Sequence, residues 1–459
     1  MAMGVLGSLK RRLPIFSFMT SMVNTSSRAS LFIFFSMAGF IVLAGTGHAF
    51  HEGGAGACEG CHSMHNSLDG RAAARALPQY QAGAYLLKAS DQSSVCLNCH
   101  QHAGDTAPSG FHISTSESDM PTGSPPIQLS PGGDFGWLKK TYSWTDANGA
   151  LQTSPGYTHG HNITAYDYGY AADGRLTTAP GGGSFQYPSN QLSCISCHDP
   201  HGRYRRSGTG TISTTGGPII GSGSYNTSME PFGTISAGTY RLLGGAGYQP
   251  KSLAGSYAFL YNPFFAAAPE DYNRSENTTD VRVAYGQNVS QWCANCHAMM
   301  HSSVGTLIHP ADQAMSSLII SNYNSYVKTG DLTGTQATSY LSLVPFQMGD
   351  TTDMTTLKGA VGSAAGPVSG DRVMCLSCHR AHASGWESMM RFPLDTTFTT
   401  VADSSGYPVY PDPGTNPTQA MGRTTQEFQK ALYDRPPTKF AAFQRTLCNK
   451  CHVQDGSGP

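Results

Sequence analysis

Residues 58–65 read CEGCHSMH. The first five letters, C-x-x-C-H, are the attachment signature of a c-type haem. Two thiols at i and i+3 lie on one face of a helical turn, spaced to form thioethers with the two vinyl groups of one porphyrin. The histidine at i+4 then stands under the iron as an axial ligand. A single such motif could also be a redox dithiol or half of a zinc site. This chain has six: Cys58/Cys61/His62, Cys96/Cys99/His100, Cys194/Cys197/His198, Cys293/Cys296/His297, Cys375/Cys378/His379 and Cys448/Cys451/His452, which together use all 12 cysteines. Zinc gives no reason for histidine to follow every pair, and a disulfide framework would not repeat one local pattern six times. The sequence therefore predicts six covalently bound haem c groups, each with its iron.

The chain opens with an export pattern. Lys10, Arg11, Arg12 and Arg28 precede the apolar run LFIFFSMAGFIVLAG at 31–45, and small residues around Gly47-His48-Ala49 suit a cleavage site. Residues 1–49 read as a signal peptide and 50–459 as a single hexahaem domain. The run is short for a membrane span, and no other stretch approaches the length needed. Without 1–49 the chain carries 24 basic and 29 acidic residues, a net charge of −5, which argues against a nucleic-acid partner. The cluster Arg203, Arg205, Arg206 reads as haem-propionate partners or surface charge.

Charged residues make up only 12%, while Gly and Pro number 53 and 27, so side chains alone are expected to build a poor core. Six flat, largely apolar porphyrins, each fixed at three points, would supply volume and cross-links, much as disulfides do in small secreted domains. The expected fold is a multihaem cytochrome c: mostly irregular coil with short helices and few strands, organised around a row of six haems. Intervals of 38, 98, 99, 82 and 73 residues between the first cysteines are too uneven for a tandem repeat. Between motifs, turn chemistry dominates, as in TAPGGGSF at 178–185 and GTGTISTTGG at 208–217. A helix is expected from His309-Pro310 to about Lys328, with Gly330 beyond it, and a capping box at Thr424–Glu427 opens another.

Six motif histidines leave ten others after residue 49: His51, His65, His102, His112, His159, His161, His201, His301, His309 and His382. Supply exceeds the six distal ligands needed, which favours bis-histidine ligation throughout. Met64, Met299, Met300 and Met374, near the motifs, then read as packing residues. His65 follows His62 by three residues and so points along the same face of a turn. It cannot reach round the porphyrin to the opposite side of the same iron; if it binds iron, it binds another haem's. The spacing recurs in CHDPH (His198, His201) and CHRAH (His379, His382), with a longer version in CHAMMH (His297, His301). A segment that grips one haem and ligates the next makes a row.

The stretches CEGCHSMHNSLDG, CLNCHQHAGDT, PGGDFGWLKKTY, CHDPHGRYRR, GYQPKSLAGSYAF, RVAYGQ, WCANCH, GDLTGTQATSYLSL, CLSCHRAHASG and LCNKCH resemble the OmcS-type extracellular hexahaem cytochromes, the nanowire-forming cytochromes of metal-reducing bacteria. The likeness runs through nearly the whole chain after residue 49. It implies a filament of bis-histidine haems in alternating stacked and T-shaped pairs. It also implies that His65 crosses the subunit boundary to the haem held by His379 of the adjacent copy. This sequence departs from the family's pattern in its loops, for example in carrying His159 beside His161 and in a shifted stretch at 355–370. Spacing and family order together select His65, His112, His161, His201, His309 and His382 as distal ligands, with His301 in reserve.

The expected function is electron transfer by a secreted, outer-surface filament. It would pass electrons from other outer-surface cytochromes to insoluble metal oxides, electrodes or partner cells, without a substrate pocket and without enzyme activity. A soluble, non-polymerising periplasmic or surface carrier is the alternative. A multihaem oxidoreductase needs an iron with an open position, whereas all six motifs here end in His and spare histidines can close every iron.

Overall fold

The computed structural model describes residues 58–63, 67–68, 71–72, 86–219, 221–270, 273, 282–301 and 311–452, all within the compact unit Phe50–Pro459. The expected signal peptide, His51, Met64, His65 and His309 lie outside the described residues, as does the side chain of His301. Regular structure is sparse, as the glycine and proline content dictates. The longest helices among the described residues, Gln92–His100 and Ser317–Ser325, have nine residues. The longest strands, Tyr142–Thr145 and Leu151–Ser154, have four and pair as an antiparallel hairpin from Tyr142↔Ser154 to Thr145↔Leu151. The other described strands are two residues long, and of these only Arg205–Arg206 has a strand on each side, Ile212–Ser213 and Ala237–Gly238.

With so few ladders, side chains take over the work of satisfying the buried backbone. The fully buried Asp134 carboxylate accepts from the amides of Thr115 (2.9 Å), Gln128 (2.9 Å) and Gly136 (2.7 Å). Three loop segments are thus held by one residue. Burial pushes its pKa up, and these hydrogen bonds work against the shift.

Each C-x-x-C-H begins in or lies on a short helical turn: Cys58–Cys61, Gln92–His100, Cys194–Ser196, Val289–Cys293, Cys375–Cys378 and Leu447–Lys450. The turn closes on the motif itself. The amides of His62, His198, His297, His379 and His452 donate to the carbonyls of Cys58, Cys194, Cys293, Cys375 and Cys448 at 2.9–3.0 Å. That i to i+4 bond puts the histidine ring on the same side as both thiols, as attachment requires.

The capping box is as expected: Thr424 Oγ1 accepts from the Glu427 amide, Glu427 Oε2 accepts from the Thr424 amide, and the helix runs Thr425–Ala431. The other expected helix starts later. Gln313–Ala314 is a strand paired with Arg372–Val373, and Ser316 caps a helix confined to Ser317–Ser325. Asp312, at φ 66°, sits just before that strand, and the expected start at His309-Pro310 lies outside the described residues.

The expectation of a poor side-chain core is corrected in part. Aromatic residues gather Trp137, Tyr142, Tyr323, Tyr340, Phe346, Trp386, Phe392, Tyr410, Phe428 and Phe440 into one sizeable buried cluster. Few residues suffice because each aromatic ring buries a large area. Elsewhere the apolar interior is broken into four smaller clusters. The Arg203–Arg206 cluster is also more structured than expected. Arg206 is buried and bridged to Glu230 at 2.6 Å, Lys358 reaches the same carboxylate at 2.6 Å, and Arg203 pairs with Asp199 at 3.1 Å.

Candidate haem-ligand sites

An iron bonded to two imidazoles at about 2 Å, each ring centre about 1.1 Å beyond its nitrogen, sets those centres roughly 6.2 Å apart. Among the described residues, three motif histidines have a second histidine ring at that spacing. His62 and His201 are 6.5 Å apart with rings 14° from parallel, His297 and His161 are 6.1 Å apart at 33°, and His198 and His382 are 6.4 Å apart at 60°. Each of these spacings suits one iron held between the two rings. His112 lies beside the second motif, where burial first, and then the charge of His112, lower the pKa of His100. A further pair at 6.1 Å, His102 and His112, contains no motif histidine.

The hydrogen bonds of the rings select which nitrogen is offered to metal. Nδ1 of His100, His161, His198, His297 and His379 lies 2.6–2.8 Å from the carbonyls of Phe111, Ala381, Arg241, Pro180 and Ser388. His382 Nδ1 makes a longer contact, 3.4 Å, with the Gly133 carbonyl. A carbonyl can only accept, so the proton sits on Nδ1 and Nε2 is left with its lone pair for iron. Burial and the neighbouring His297 charge hold His161 down at about 4, and burial with the His198 charge holds His382 at about 3. Both rings are therefore neutral, the form that binds a metal.

His159 is excluded by the same test. Its Nδ1 contacts the Trp137 carbonyl at 3.1 Å and its Nε2 contacts Ser154 Oγ at 2.8 Å, so neither nitrogen is available. It is fully buried, and desolvation together with the adjacent Arg423 guanidinium lowers its pKa to about 3.

The cysteines reveal the order of the motifs in space. The Cys96 and Cys194 thiols lie close enough to shift each other's pKa, Cys96 up and Cys194 down, and so do those of Cys293 and Cys375. Burial and then the Cys99 thiol raise the pKa of Cys61, and Cys296 is raised in the same way by burial and Cys197, and Cys451 by burial and Cys378. Successive motifs are therefore neighbours, meeting through second cysteines (one–two), first cysteines (two–three), second (three–four) and first (four–five), while Cys378 of motif five lies near both cysteines of motif six. Haem c bound at these motifs would be attached through these sulfurs as thioethers.

The first-cysteine junctions share one solution. Ser93 Oγ accepts from the Cys194 amide at 3.0 Å, and Ser290 Oγ accepts from the Cys375 amide at 3.2 Å. Both serines are fully buried and stand three residues before their own motif's first cysteine. Motifs two and four (SSVCLNCH, SQWCANCH) and motifs three and five (CISCHDPH, CLSCHRAH) are thus matching halves of a two-motif unit. Interval lengths hid this unit, whereas the serine positions reveal it.

Spacing alone leaves open which motif an i+3 histidine faces, and the described ones do not face the adjoining motif. His201, after motif three, faces His62 of motif one. His382, after motif five, faces His198 of motif three. Each reaches two motifs back.

No family model matches the chain. It is 55% identical over 427 residues to the C-type cytochrome OmcS of Geobacter sulfurreducens, which covers 91% of this chain and 97% of that protein. The chain belongs to the OmcS family of c-type cytochromes. Two solved structures, the outer membrane cytochrome S filament from Geobacter sulfurreducens and the OmcS nanowires from that organism seen by cryo-electron microscopy, each match with a TM-score of 0.83 and 55% identity, over 88% of this chain and all of theirs. As a c-type cytochrome of the OmcS family the protein carries haem c and transfers electrons. The residues fit that group: the thiol pairs lie on the side of the motif ring, and the facing imidazoles are spaced for iron. No helix among the described residues is long and apolar enough to cross a membrane.

Proposed function

We propose that the chain holds six haem c groups, each between two histidines, and polymerises into an extracellular electron-conducting filament. The proposed pairs are His62 with His201, His100 with His112, His198 with His382, His297 with His161, His452 with His309, and His379 with His65 of an adjacent copy. Haem c supplies a one-electron couple when bound. The chain's own part is to fix both ligands, orient each ring through Nδ1, and bury the row from water.

The observation that carries the reading is the two-back rule of the i+3 histidines. His201 and His382 occupy the i+3 place after motifs three and five and face motifs one and three. His65 occupies the same place after motif one. Two motifs back from there is the fifth motif of a preceding copy, which makes the subunit boundary a continuation of the internal pattern. Every iron then has two protein ligands, so we read the protein as a carrier and not an enzyme, delivering electrons by outer-sphere transfer to metal oxides, electrodes or other outer-surface cytochromes. Residues 1–49 serve as its export signal, leading through the periplasm to the cell surface.

Electron microscopy of the haem-loaded protein beside its His65→Ala variant tests this. Long filaments that vanish in the variant are expected. Filaments in both would remove His65 as the link, and single particles in both would favour a soluble carrier.

A further inference from the structure

Seven of the proposed ligand rings have a described partner for Nδ1, and six of these partners are backbone carbonyls. The seventh is not. His112 Nδ1 lies 2.6 Å from Asp105 Oδ2. We propose that Asp105 is a positioning residue which, acting through His112, lowers the reduction potential of the haem at the second motif. This rests on His112 being the distal ligand there.

The physical basis is the charge of the acceptor. An imidazole that donates Nδ1–H to a carboxylate gains imidazolate character, and its Nε2 becomes a stronger donor to iron than one bonded to a neutral carbonyl. A stronger donor favours the ferric over the ferrous state, because the ferric ion carries more charge. The 2.6 Å separation is that of a charge-assisted hydrogen bond. The two side chains are only 11% and 13% exposed, so water screens the pair weakly.

The pair is also locked from both ends. Gln128 Nε2 donates to the same Oδ2 at 2.8 Å, while Gln128 Oε1 accepts from the Ser109 amide (3.0 Å) and Asn273 Nδ2 (2.9 Å). Ser109 Oγ accepts from the His112 amide at 2.8 Å, and Asn273 Nδ2 donates to the His112 carbonyl at 2.5 Å. One polar network therefore fixes the imidazole, the carboxylate and the distance between them. The other carboxylate oxygen faces His102 Nδ1 at 3.8 Å, beyond hydrogen-bond reach, and His102 is 72% exposed. In the row, such a haem stays oxidised until its neighbours are reduced.

The test uses the full, haem-loaded chain, with haem content checked in each variant, and reads potentials by spectroelectrochemical titration. Asp105→Asn is expected to raise the potential of one step by ~59 mV, about a tenfold fall in its oxidised-to-reduced ratio at fixed potential for a one-electron couple, leaving the others in place. Asp105→Glu, which keeps the anion, restores part of the shift. Gln128→Leu, which loosens the carboxylate without removing it, moves the same step by less and stands in if Asp105→Asn loads poorly. His112→Ala separates the two claims. A new five-coordinate haem in His112→Ala with no shift in Asp105→Asn overturns the tuning role and leaves the ligand assignment standing. Six-coordinate spectra in His112→Ala overturn both.

Discussion

His159 and His161 differ by two residues in sequence and by one hydrogen bond per ring, which makes them a sharp test of the ligand geometry. His161 offers a bare Nε2 to a site 6.1 Å from the His297 ring centre, whereas both nitrogens of His159 are taken. Changing His161 to Ala removes one of twelve proposed ligands, so about one sixth of the haem should turn high-spin. Changing His159 to Ala should leave every haem low-spin but cost stability. It strips one hydrogen bond from the buried Trp137 carbonyl, which keeps the Lys140 amide, and another from Ser154 Oγ, at about 0.5–1.5 kcal/mol each, and leaves a cavity beside Arg423. Absorption and electron paramagnetic resonance spectra normalised to haem content read the first effect, and thermal or denaturant unfolding reads the second. High-spin haem in His159→Ala, with low-spin spectra in His161→Ala, would refute the assignment.

Three other outcomes follow from the packing. Phe428, fully buried 4.8 Å from the Trp386 ring and 5.5 Å from Tyr410, should cost about 3–5 kcal/mol when cut to Ala, measured by denaturant midpoint. Gly133→Ala should displace the 382–383 segment, because a Cβ there would sit 1.7 Å from the Ala383 carbonyl oxygen at a φ of +100°; a partly high-spin haem at motif three is the expected signature. Glu230 has its pKa lowered by Arg206 and Lys358 against the opposing effect of burial. Its bridges contribute above the ordinary carboxylate range and are lost as pH falls through the lowered value. Glu230→Gln should therefore be less stable at neutral pH, by about 1 kcal/mol given its exposed face, and converge with the parent in acid.

The parts of the fold that depend on local chemistry were legible in the residues. The motif turns, the Thr424 capping box and the loop-rich character all follow from short-range rules. The start of the helix at Ser317 was not legible, because a strand pairing with residues 372–373, about 60 positions away, competes for the segment after Pro310. The ligand set could be narrowed by counting histidines. Family order already put His161 ahead of His159, but the physical reason needed the positions of Trp137 and Ser154, and the identity of the motif that His201 faces needed the three-dimensional order of the motifs. Asp105 gave no signal at all, since a carboxylate seven residues before a histidine is an ordinary occurrence.

The alternation of sulfur junctions has a consequence of phase. Motifs two to five each use one cysteine toward the preceding motif and the other toward the following one. Motif one turns Cys61 inward and leaves Cys58 exposed. With six motifs there are five junctions inside a copy; the first brings Cys61 to Cys99, and the last brings Cys378 to both cysteines of motif six. In the proposed polymer, a first-cysteine contact between copies keeps the alternation unbroken, and motif six with the next copy's motif one becomes a third two-motif unit. An odd number of motifs would put two like junctions in succession at every boundary, a periodic fault in the row.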